Sequence, residues 1–338
     1  MAFFKKYRKY IILALLITVF LLIGRFISTI DLELLKTYLS DMPGMFAGVI
    51  LMSLCAYITS TIAWLLCMGS EARKVPFVEL FMFRHVGEML SLFNPTGIVA
   101  GESLKAVILN KRGISATDSV SSILLQRVLV ILSGVVLMAV SVLYLTAGQM
   151  LNGESVLVVL LTSIFIAFLA YLVIRFLVHP RLFLGKTMEN LKKKIGWKLF
   201  SDKLVASSFE MNEVSSRYFR ENKKRFLLAF LMCLIHWIFG AMEFYIVLNM
   251  MGLPISVIQA SAVEMGVILF KTIGAIVPGQ IGIEEYGNKV MLNAIGVVSN
   301  EMWLVVTLMR RGRQLFWLLI AGIFMLIISK KLQLKLHK

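Results

Sequence analysis

Charged residues are scarce in this sequence of 338 residues. Only 16% of the residues are Asp, Glu, Lys or Arg, whereas 59% are hydrophobic. A soluble domain has about 25% charged and about 45–50% apolar residues, so the composition excludes an ordinary soluble fold. It predicts a chain that lies mostly in lipid.

The sequence also lacks the short motifs of common enzyme classes. It has no His-Glu-x-x-His helix, no phosphate-binding glycine loop and no Ser/His/Asp grouping at a recognisable spacing. Its three cysteines, Cys55, Cys67 and Cys233, fall in apolar stretches without the spacing of a metal site or a disulfide framework. We therefore predict no metal, no other cofactor and no catalytic residue, and a membrane enzyme of an unrecognised kind stays an alternative.

Six apolar runs are long enough to cross a bilayer core, which takes about 20 residues. The first has no small-residue cleavage site after it, so we expect a spanning helix rather than a removed signal. We predict an all-α, polytopic membrane protein in which residues 1–338 form one integral membrane domain. The predicted spans are residues 10–30, 44–68, 119–147, 155–178, 226–250 and 301–329.

Positive charge is concentrated in a few places, which predicts the orientation. The net charge is +16, and Lys and Arg cluster before the first span, after the second, between the fourth and fifth, and at the C-terminal end. The loops 31–43 and 148–154 carry little positive charge. By the positive-inside rule, both termini and the basic segment 179–225 lie in the cytoplasm. The charge thus predicts topology and not nucleic-acid binding.

The basic segment also has an amphipathic pattern. Leu204, Met211, Val214 and Tyr218 fall near one face of a helix. A basic amphipathic helix is typical of a surface that lies on anionic headgroups.

Two further apolar segments, 76–112 and 254–296, are each interrupted by a proline followed closely by glycine. Proline disfavours helix at the residue before it, and glycine relieves the turn. We interpret each segment as a helical hairpin, with its tip at Pro95 in the first and at Pro278 and Gly279 in the second. Such breaks at membrane depth need protein or a water-filled cavity around them.

The two hairpins are similar in sequence. An offset of 183 positions aligns residues 95–127 with 278–310 without a gap and gives nine identities. The matched residues that are not aliphatic are Pro95 with Pro278, Glu102 with Glu285, Asn110 with Asn293, Gly113 with Gly296 and Arg127 with Arg310.

The predicted topology gives the two repeats opposite orientations. The first hairpin begins and ends in the cytoplasm, and the second begins and ends outside. Repeat 1 covers about 76–147 and repeat 2 about 254–329. Inverted repeats with broken helices near the midplane are typical of transporters.

Charged residues inside the predicted membrane region are costly, so they usually face a partner or a cavity. Arginine suits bidentate phosphate contacts, and the candidate headgroup-binding residues are Arg127, Arg310, Lys105, Arg311 and Lys289. Each repeated glutamate is expected to latch its hairpin to the arginine of the following span. The candidate latch or cavity residues are Glu102, Glu285, Glu284, Asn110 and Asn293.

Two of these glutamates are given more specific expectations. Glu285 is expected to pair with Lys289 or Arg310, and Glu284 to face the cavity. Elsewhere, Glu243 and Glu264 fit either proton carriers or structural ion pairs.

The stretches GESLKAVILNKRGISATDSVSSILLQR (101–127) and VPGQIGIEEYG (277–287) resemble the two signatures of the transmembrane region of lysylphosphatidylglycerol synthase. The second departs from the pattern at Gly279-Gln280-Ile281-Gly282, where relatives often have adjacent glycines. By this resemblance, Glu102, Arg127, Glu285 and Arg310 are the positions that carry over. In the two-part synthases this region flips aminoacylated phosphatidylglycerol, and a soluble domain, expected to be absent here, makes the lipid.

The resemblance implies a flippase in the bacterial cytoplasmic membrane. Its substrate would be an anionic or aminoacylated phospholipid, or a lipid-linked glycan, since some relatives are joined to glycosyltransferases. Two alternatives remain: a lipid-modifying enzyme of the phosphatidylglycerol lysyltransferase type, and a protein that recruits a lipid synthase. The expected partners are membrane phospholipid and a separate lipid synthase or glycosyltransferase.

Overall fold

A computed structural model describes residues 32–91, 97–151, 220–274 and 280–332, together with residue 277 and single positions between 164 and 218. Within these ranges the regular structure is helical, with no strand. The α-helices are α1 Leu32–Ser40, α2 Met42–Cys67, α3 Phe77–Ser91, α4 Gly97–Lys111, α5 Ala116–Leu151, α6 Lys223–Met250, α7 Val257–Ile273, α8 Ile283–Ala294 and α9 Asn300–Leu332; a 3-10 helix covers Gly69–Lys74.

Four of the described helices are long and apolar enough to cross a membrane. They match four predicted spans, so the prediction of an all-α membrane protein is confirmed. Of the other two predicted spans, 10–30 lies outside the described residues and 155–178 is described only at single positions. The four spanning segments are Met42–Cys67, Ala116–Tyr144, Lys223–Met250 and Asn300–Lys331.

Each predicted hairpin is a pair of consecutive helices that pack against each other: α3 with α4, and α7 with α8. These arms have 12 to 17 residues. At 1.5 Å per residue they measure about 18–26 Å, less than the roughly 30 Å of a bilayer core. The predicted tips Pro95, Pro278 and Gly279 lie outside the described residues.

The helices form two sets with the same internal order: a long helix, a hairpin and a second long helix. The first set is α2 to α5 and the second is α6 to α9. Helices α2 and α6 pack extensively on each other. Helix α5 packs on α7 of the other set, and α9 packs on α3 of the other set. Exchanging the two sets reproduces the same contacts.

Helices α4 and α8 end with the same hydrogen bonds. The N–H of Ile114 donates to the Leu109 carbonyl (3.3 Å) and that of Gly113 to the Asn110 carbonyl (3.0 Å). Val297 and Gly296 repeat these bonds with Leu292 and Asn293 at 3.0 Å each. Both glycines have positive φ, 75° and 87°. This is the Schellman cap, and its hydrophobic contact joins residues buried in both halves.

These caps predict the effect of substitutions at the repeated Gly and Asn. Gly113→Ala and Gly296→Ala are each expected to destabilise the protein by about 1 kcal/mol, because a Cβ disfavours the left-handed conformation. Asn293→Ala, in the same cap, should change stability by less than about 0.5 kcal/mol, because its side chain is exposed and its carbonyl remains. Thermal unfolding in detergent measures all three. An equal loss from Asn293→Ala would show that its side chain has a further role.

The caps also reveal a one-residue difference between the two sets. In α5 the N-cap is Ser115, two residues after Gly113, and its Oγ accepts from the Asp118 N–H (3.1 Å). In α9 the corresponding residue is Ser299, three residues after Gly296, and its Oγ accepts from the Met302 N–H (3.2 Å). From this point on, the matching offset is 184 and no longer 183.

Burial supports this register. Leu125 is 1% exposed, and its counterpart at the new offset, Met309, is 0% exposed, whereas Leu308 is 41% exposed. The structural counterpart of Arg127 is therefore Arg311, and the predicted match of Arg127 with Arg310 is wrong.

Candidate functional site

The first charged cluster joins three helices of the first set. Lys105 Nζ lies 2.7 Å from Glu88 Oε1 and 3.3 Å from Glu102 Oε1. Arg127 of α5 contacts Glu102 at 3.1 Å, and its Nη1 lies 4.0 Å from Glu88. The predicted pair of Glu102 with Arg127 is thus present, and it ties the hairpin α3–α4 to the next long helix.

Lys105 reaches Glu88 because Gly87 leaves room for it. A Cβ on Gly87 would lie 2.4 Å from Lys105 Cε and 3.1 Å from the Gly101 carbonyl oxygen. The ammonium also lies 5.7 Å from the Trp64 ring centre. Lys105 is 2% exposed. This predicted headgroup-binding residue therefore lies inside the protein, bound to two carboxylates.

An equivalent charged pair lies in the second set. Arg311 Nε is 2.6 Å from Glu285 Oε1, and its Nη2 donates to the Gln280 carbonyl at 3.2 Å. Glu285 pairs with Arg311, so the expected pairing with Lys289 or Arg310 is corrected. The two pairs have similar exposure: 30% and 23% for Arg127 and Glu102, 25% and 23% for Arg311 and Glu285.

Arg310 lies about 100° from Arg311 around α9 and points into a buried network. Arg311 reaches the edge of this network, with its Nη1 3.7 Å from Glu284 Oε2. Its guanidinium lies 2.9 Å from Glu264, 3.2 Å from Glu284 and 3.5 Å from Glu243. The Arg310 side chain is 4% exposed, and the three carboxylates are 8% exposed or less. Glu284 was expected to face the cavity, but it is enclosed because Arg310 and its neighbours surround it.

Further polar groups complete this network. Arg313 contacts the second oxygen of Glu243 at 2.6 Å, Lys271 lies 3.5 Å from Glu284, and Gln314 donates to Glu284 at 2.7 Å. Glu243 and Glu264 are therefore members of ion pairs. Arg310 joins α6, α7, α8 and α9, which is the arrangement of a structural anchor.

The two hairpins are crosslinked by charges of reversed polarity. In the first, the glutamate is on the first arm and the lysine on the second, as Glu88 and Lys105. In the second, the lysine is on the first arm and the glutamate on the second, as Lys271 and Glu284. Lys271 also matches Glu88 when the offset of 183 is extended to α3.

The remaining predicted residues lie elsewhere. Lys289 has its ammonium 5.2 Å from the Trp303 ring centre. Asn110 and Asn293 sit in the helix caps, where their carbonyls accept the capping bonds. Asn110 Oδ1 also accepts from Ser119 Oγ at 3.3 Å.

A polar cavity of about 590 Å³ opens where α2 ends and where α5 and α6 begin. Tyr218 lines it, and is the one described residue of the predicted amphipathic face. Its hydroxyl donates to the Leu66 carbonyl at 2.6 Å, and burial raises the pKa of Tyr218 to about 12. The charged lining residues are Glu71, Asp118, Glu221 and Arg225.

Arg84, near the first cluster, is not among the functional residues predicted from the sequence. Arg84 lies in the middle of α3 and is 6% exposed. In the sequence it stands four positions before Glu88, a spacing that indicates an ion pair. Within the described part of the chain, however, no carboxylate lies within 4.0 Å of it.

Paired helical hairpins packed between long apolar helices, with charges buried among them, define an integral membrane protein with an ionic interior. The chain belongs to the family described as the lysylphosphatidylglycerol synthase TM region, which matches residues 11–322. This match confirms the resemblance seen in the two signatures. A comparison with curated proteins gave no match. The family links the protein to lysylphosphatidylglycerol synthesis or lipid handling.

Proposed function

We propose that this protein is a flippase that moves the headgroup of a phospholipid between the two leaflets of the cytoplasmic membrane. The substrate class is an anionic or aminoacylated phospholipid, or a lipid-linked glycan. The observation that carries the proposal is the equivalence of two partly exposed pairs, Arg127 with Glu102 and Arg311 with Glu285.

Their depth supports a transport role. Each arginine stands the same number of residues after its N-cap serine, Ser115 or Ser299, which corresponds to about 18 Å along the helix. In a core of about 30 Å, both pairs then lie near the midplane. With the basic segment in the cytoplasm, α5 starts inside and α9 starts outside, so the two helices carry their pairs in opposite orientations. The exchange of partners between the two sets of helices fits inverted repeats.

The chemistry of each pair suits a headgroup. A guanidinium offers forked donors to a phosphate, and the neighbouring carboxylate accepts from an ammonium or a hydroxyl. Arg127 and Arg311 keep accessible surface while paired, so a headgroup can replace part of the pair without leaving a charge unsatisfied. A polar group is otherwise costly at this depth.

Lipid movement in proteoliposomes tests the proposal. Fluorescent phosphatidylglycerol and a fluorescent glycolipid are compared for the wild type, Arg127→Ala and Arg311→Ala. Each substitution is expected to lower the transfer rate at least about tenfold, because the loss of a charge-assisted contact is worth about 1.5–3 kcal/mol.

Arg73→Ala is the matched control, because Arg73 is exposed in the 3-10 helix Gly69–Lys74. It should transfer lipid at the wild-type rate. Wild-type rates in both Arg127→Ala and Arg311→Ala, in folded protein, would contradict the assignment of these pairs. Lysylated lipid made by the protein from charged tRNA would favour the enzyme alternative.

A further inference from the structure

The buried charges of the two sets do not balance equally. In the second set, four carboxylates face four cations: Glu243, Glu264, Glu284 and Glu285 against Lys271, Arg310, Arg311 and Arg313. In the first set, three carboxylates face four cations: Glu79, Glu88 and Glu102 against Lys105, Arg112, Arg127 and the nearby Arg84. The first set therefore carries one positive charge in excess.

The excess charge is on Arg84. Its Nε donates to Ser60 Oγ at 3.0 Å, and its guanidinium carbon lies 5.3 Å from the Tyr57 ring centre. Neither Nη1 nor Nη2 has a hydrogen-bond partner among the described residues. Neither nitrogen is among the unpartnered polar atoms that are fully enclosed in that part of the chain, so each keeps a small accessible surface in a residue that is 6% exposed.

This geometry leaves one edge of the guanidinium available. The Tyr57 ring lies against the cation, Ser60 holds Nε, and Gln126 donates to the same Ser60 oxygen at 3.2 Å. The side chain is thus held in place while its two terminal nitrogens stay open. A forked pair of donors in a fixed position suits an oxyanion such as phosphate.

Arg84 has no counterpart in the second set. When the offset of 183 is extended to α3, the matching position of the second hairpin is Val267, which is fully buried and apolar. An arginine that only completed the repeated architecture would be expected in both halves. A buried cation without a carboxylate in contact is costly, and in membrane proteins it indicates a ligand or transport site.

The position of Arg84 is also central. Tyr57 lies within electrostatic reach of Arg84 and Glu88 from the first set and of Arg313 and Glu243 from the second. Tyr57 also contacts Trp317 of α9, with ring centres 5.1 Å apart. The open edge therefore lies close to the contact between the two sets of helices.

We propose that Arg84, positioned by Ser60 and Tyr57, is a binding site for a phosphate or phosphodiester anion. One singly charged phosphodiester neutralises the excess positive charge of the first set. The identification of the anion as a lipid headgroup rests on the proposed flippase function, whereas the anion site itself does not.

Thermal unfolding of the full-length protein in detergent tests the site. The probes are dihexanoyl phosphatidylglycerol, inorganic phosphate, and dihexanoylglycerol, which has the same chains without a phosphate. Phosphatidylglycerol is expected to raise the unfolding midpoint of the wild type by about 5 °C at saturation, and dihexanoylglycerol to leave it unchanged. A rise with inorganic phosphate of equal size would assign the site to free phosphate and not to a lipid.

Arg84→Met separates an anion site from a structural arginine. We expect its ligand-free midpoint to equal or exceed that of the wild type, because an uncompensated buried charge is removed. Its response to the anion should be lost. Arg73→Met, the exposed control, should keep the full response. An Arg84→Met protein that still responds to the anion, or a wild type that responds to no probe, would overturn the proposal.

Ser60→Asp provides a second variant that keeps Arg84. The new carboxylate lies beside the guanidinium and takes the place of the anion, so the response to phosphatidylglycerol should again be lost. An intact response in Ser60→Asp contradicts the proposal even if Arg84→Met does not fold. The two proposals can fail separately. If these variants lose anion binding but the wild type moves no lipid in proteoliposomes, the flippase function is contradicted and the anion site is supported.

Discussion

Arg310→Ala is expected to destabilise the protein by about 3–5 kcal/mol, the largest effect of any single change considered. The substitution leaves Glu243, Glu264 and Glu284 buried with one fewer cation between four helices. We expect a fall in the unfolding midpoint of at least about 6 °C, or failure to purify as a single species in detergent. Thermal unfolding with size-exclusion chromatography measures this.

The neighbouring Arg311→Ala is the control for this prediction. Arg311 is 25% exposed, so its loss should cost about 1 kcal/mol or less. Similar losses from both substitutions would show that the network around Arg310 is not the anchor of this half.

The double variant Arg310→Met with Glu264→Gln removes one charge of each sign and should recover part of the stability. It follows that lost transport in an Arg310 variant reports on folding, and that Arg311 is the informative position for headgroup binding.

Gly87→Ala is expected to lower stability by about 2–3 kcal/mol. The added Cβ would lie 2.4 Å from Lys105 Cε and 3.1 Å from the Gly101 carbonyl oxygen. Lys105 cannot move aside easily, because Glu88 and Glu102 hold its ammonium, and the carbonyl belongs to the backbone of α4. The arms α3 and α4 must then separate. The midpoint of thermal unfolding and the lipid transfer rate are both expected to fall.

Gly266→Ala is the matched control in the second hairpin. There the added Cβ would meet Met291, with Sδ at 2.3 Å, Cε at 2.4 Å and Cγ at 2.7 Å. Because a methionine end is flexible and can adopt another rotamer, we expect a loss below about 1 kcal/mol. If Gly266→Ala lowers stability as much as Gly87→Ala does, steric crowding would explain both losses, and the fixed position of Lys105 would not be the cause.

The spans and hairpins follow from the sequence because their signals are local. Apolar length predicts the long helices, and proline with glycine predicts the interruptions. The spacing of Glu102 and Lys105 predicts their contact, and the repeat predicts the pairing of Glu102 with Arg127. These features needed no knowledge of how distant helices pack.

The register of the second half was not predictable in the same way. One additional residue between Gly296 and Ser299 turns α9 by about 100° relative to the repeat. The sequence alignment hides this shift because Arg310 and Arg311 are adjacent, so an arginine matches Arg127 at either offset. The single residue decides which of the two is enclosed by glutamates.

The surroundings of Arg84 were also not predictable from the sequence. Its spacing to Glu88 favours an ion pair, but Glu88 binds Lys105, which comes from another helix. Whether a buried arginine has a counter-ion depends on all the helices around it. The sequence of α3 alone cannot show that Lys105 of α4 binds Glu88 in place of Arg84.

The reversed polarity of the two hairpins has a consequence for biogenesis. During insertion, four short arms are available to one another before the bundle closes. If α3 associated with α8, Glu88 would meet Glu284, and if α7 associated with α4, Lys271 would meet Lys105. Like charges in a medium of low dielectric repel strongly, whereas each correct pairing joins opposite charges. We therefore expect the charges that crosslink each finished hairpin to favour the correct pairing of its arms during assembly as well.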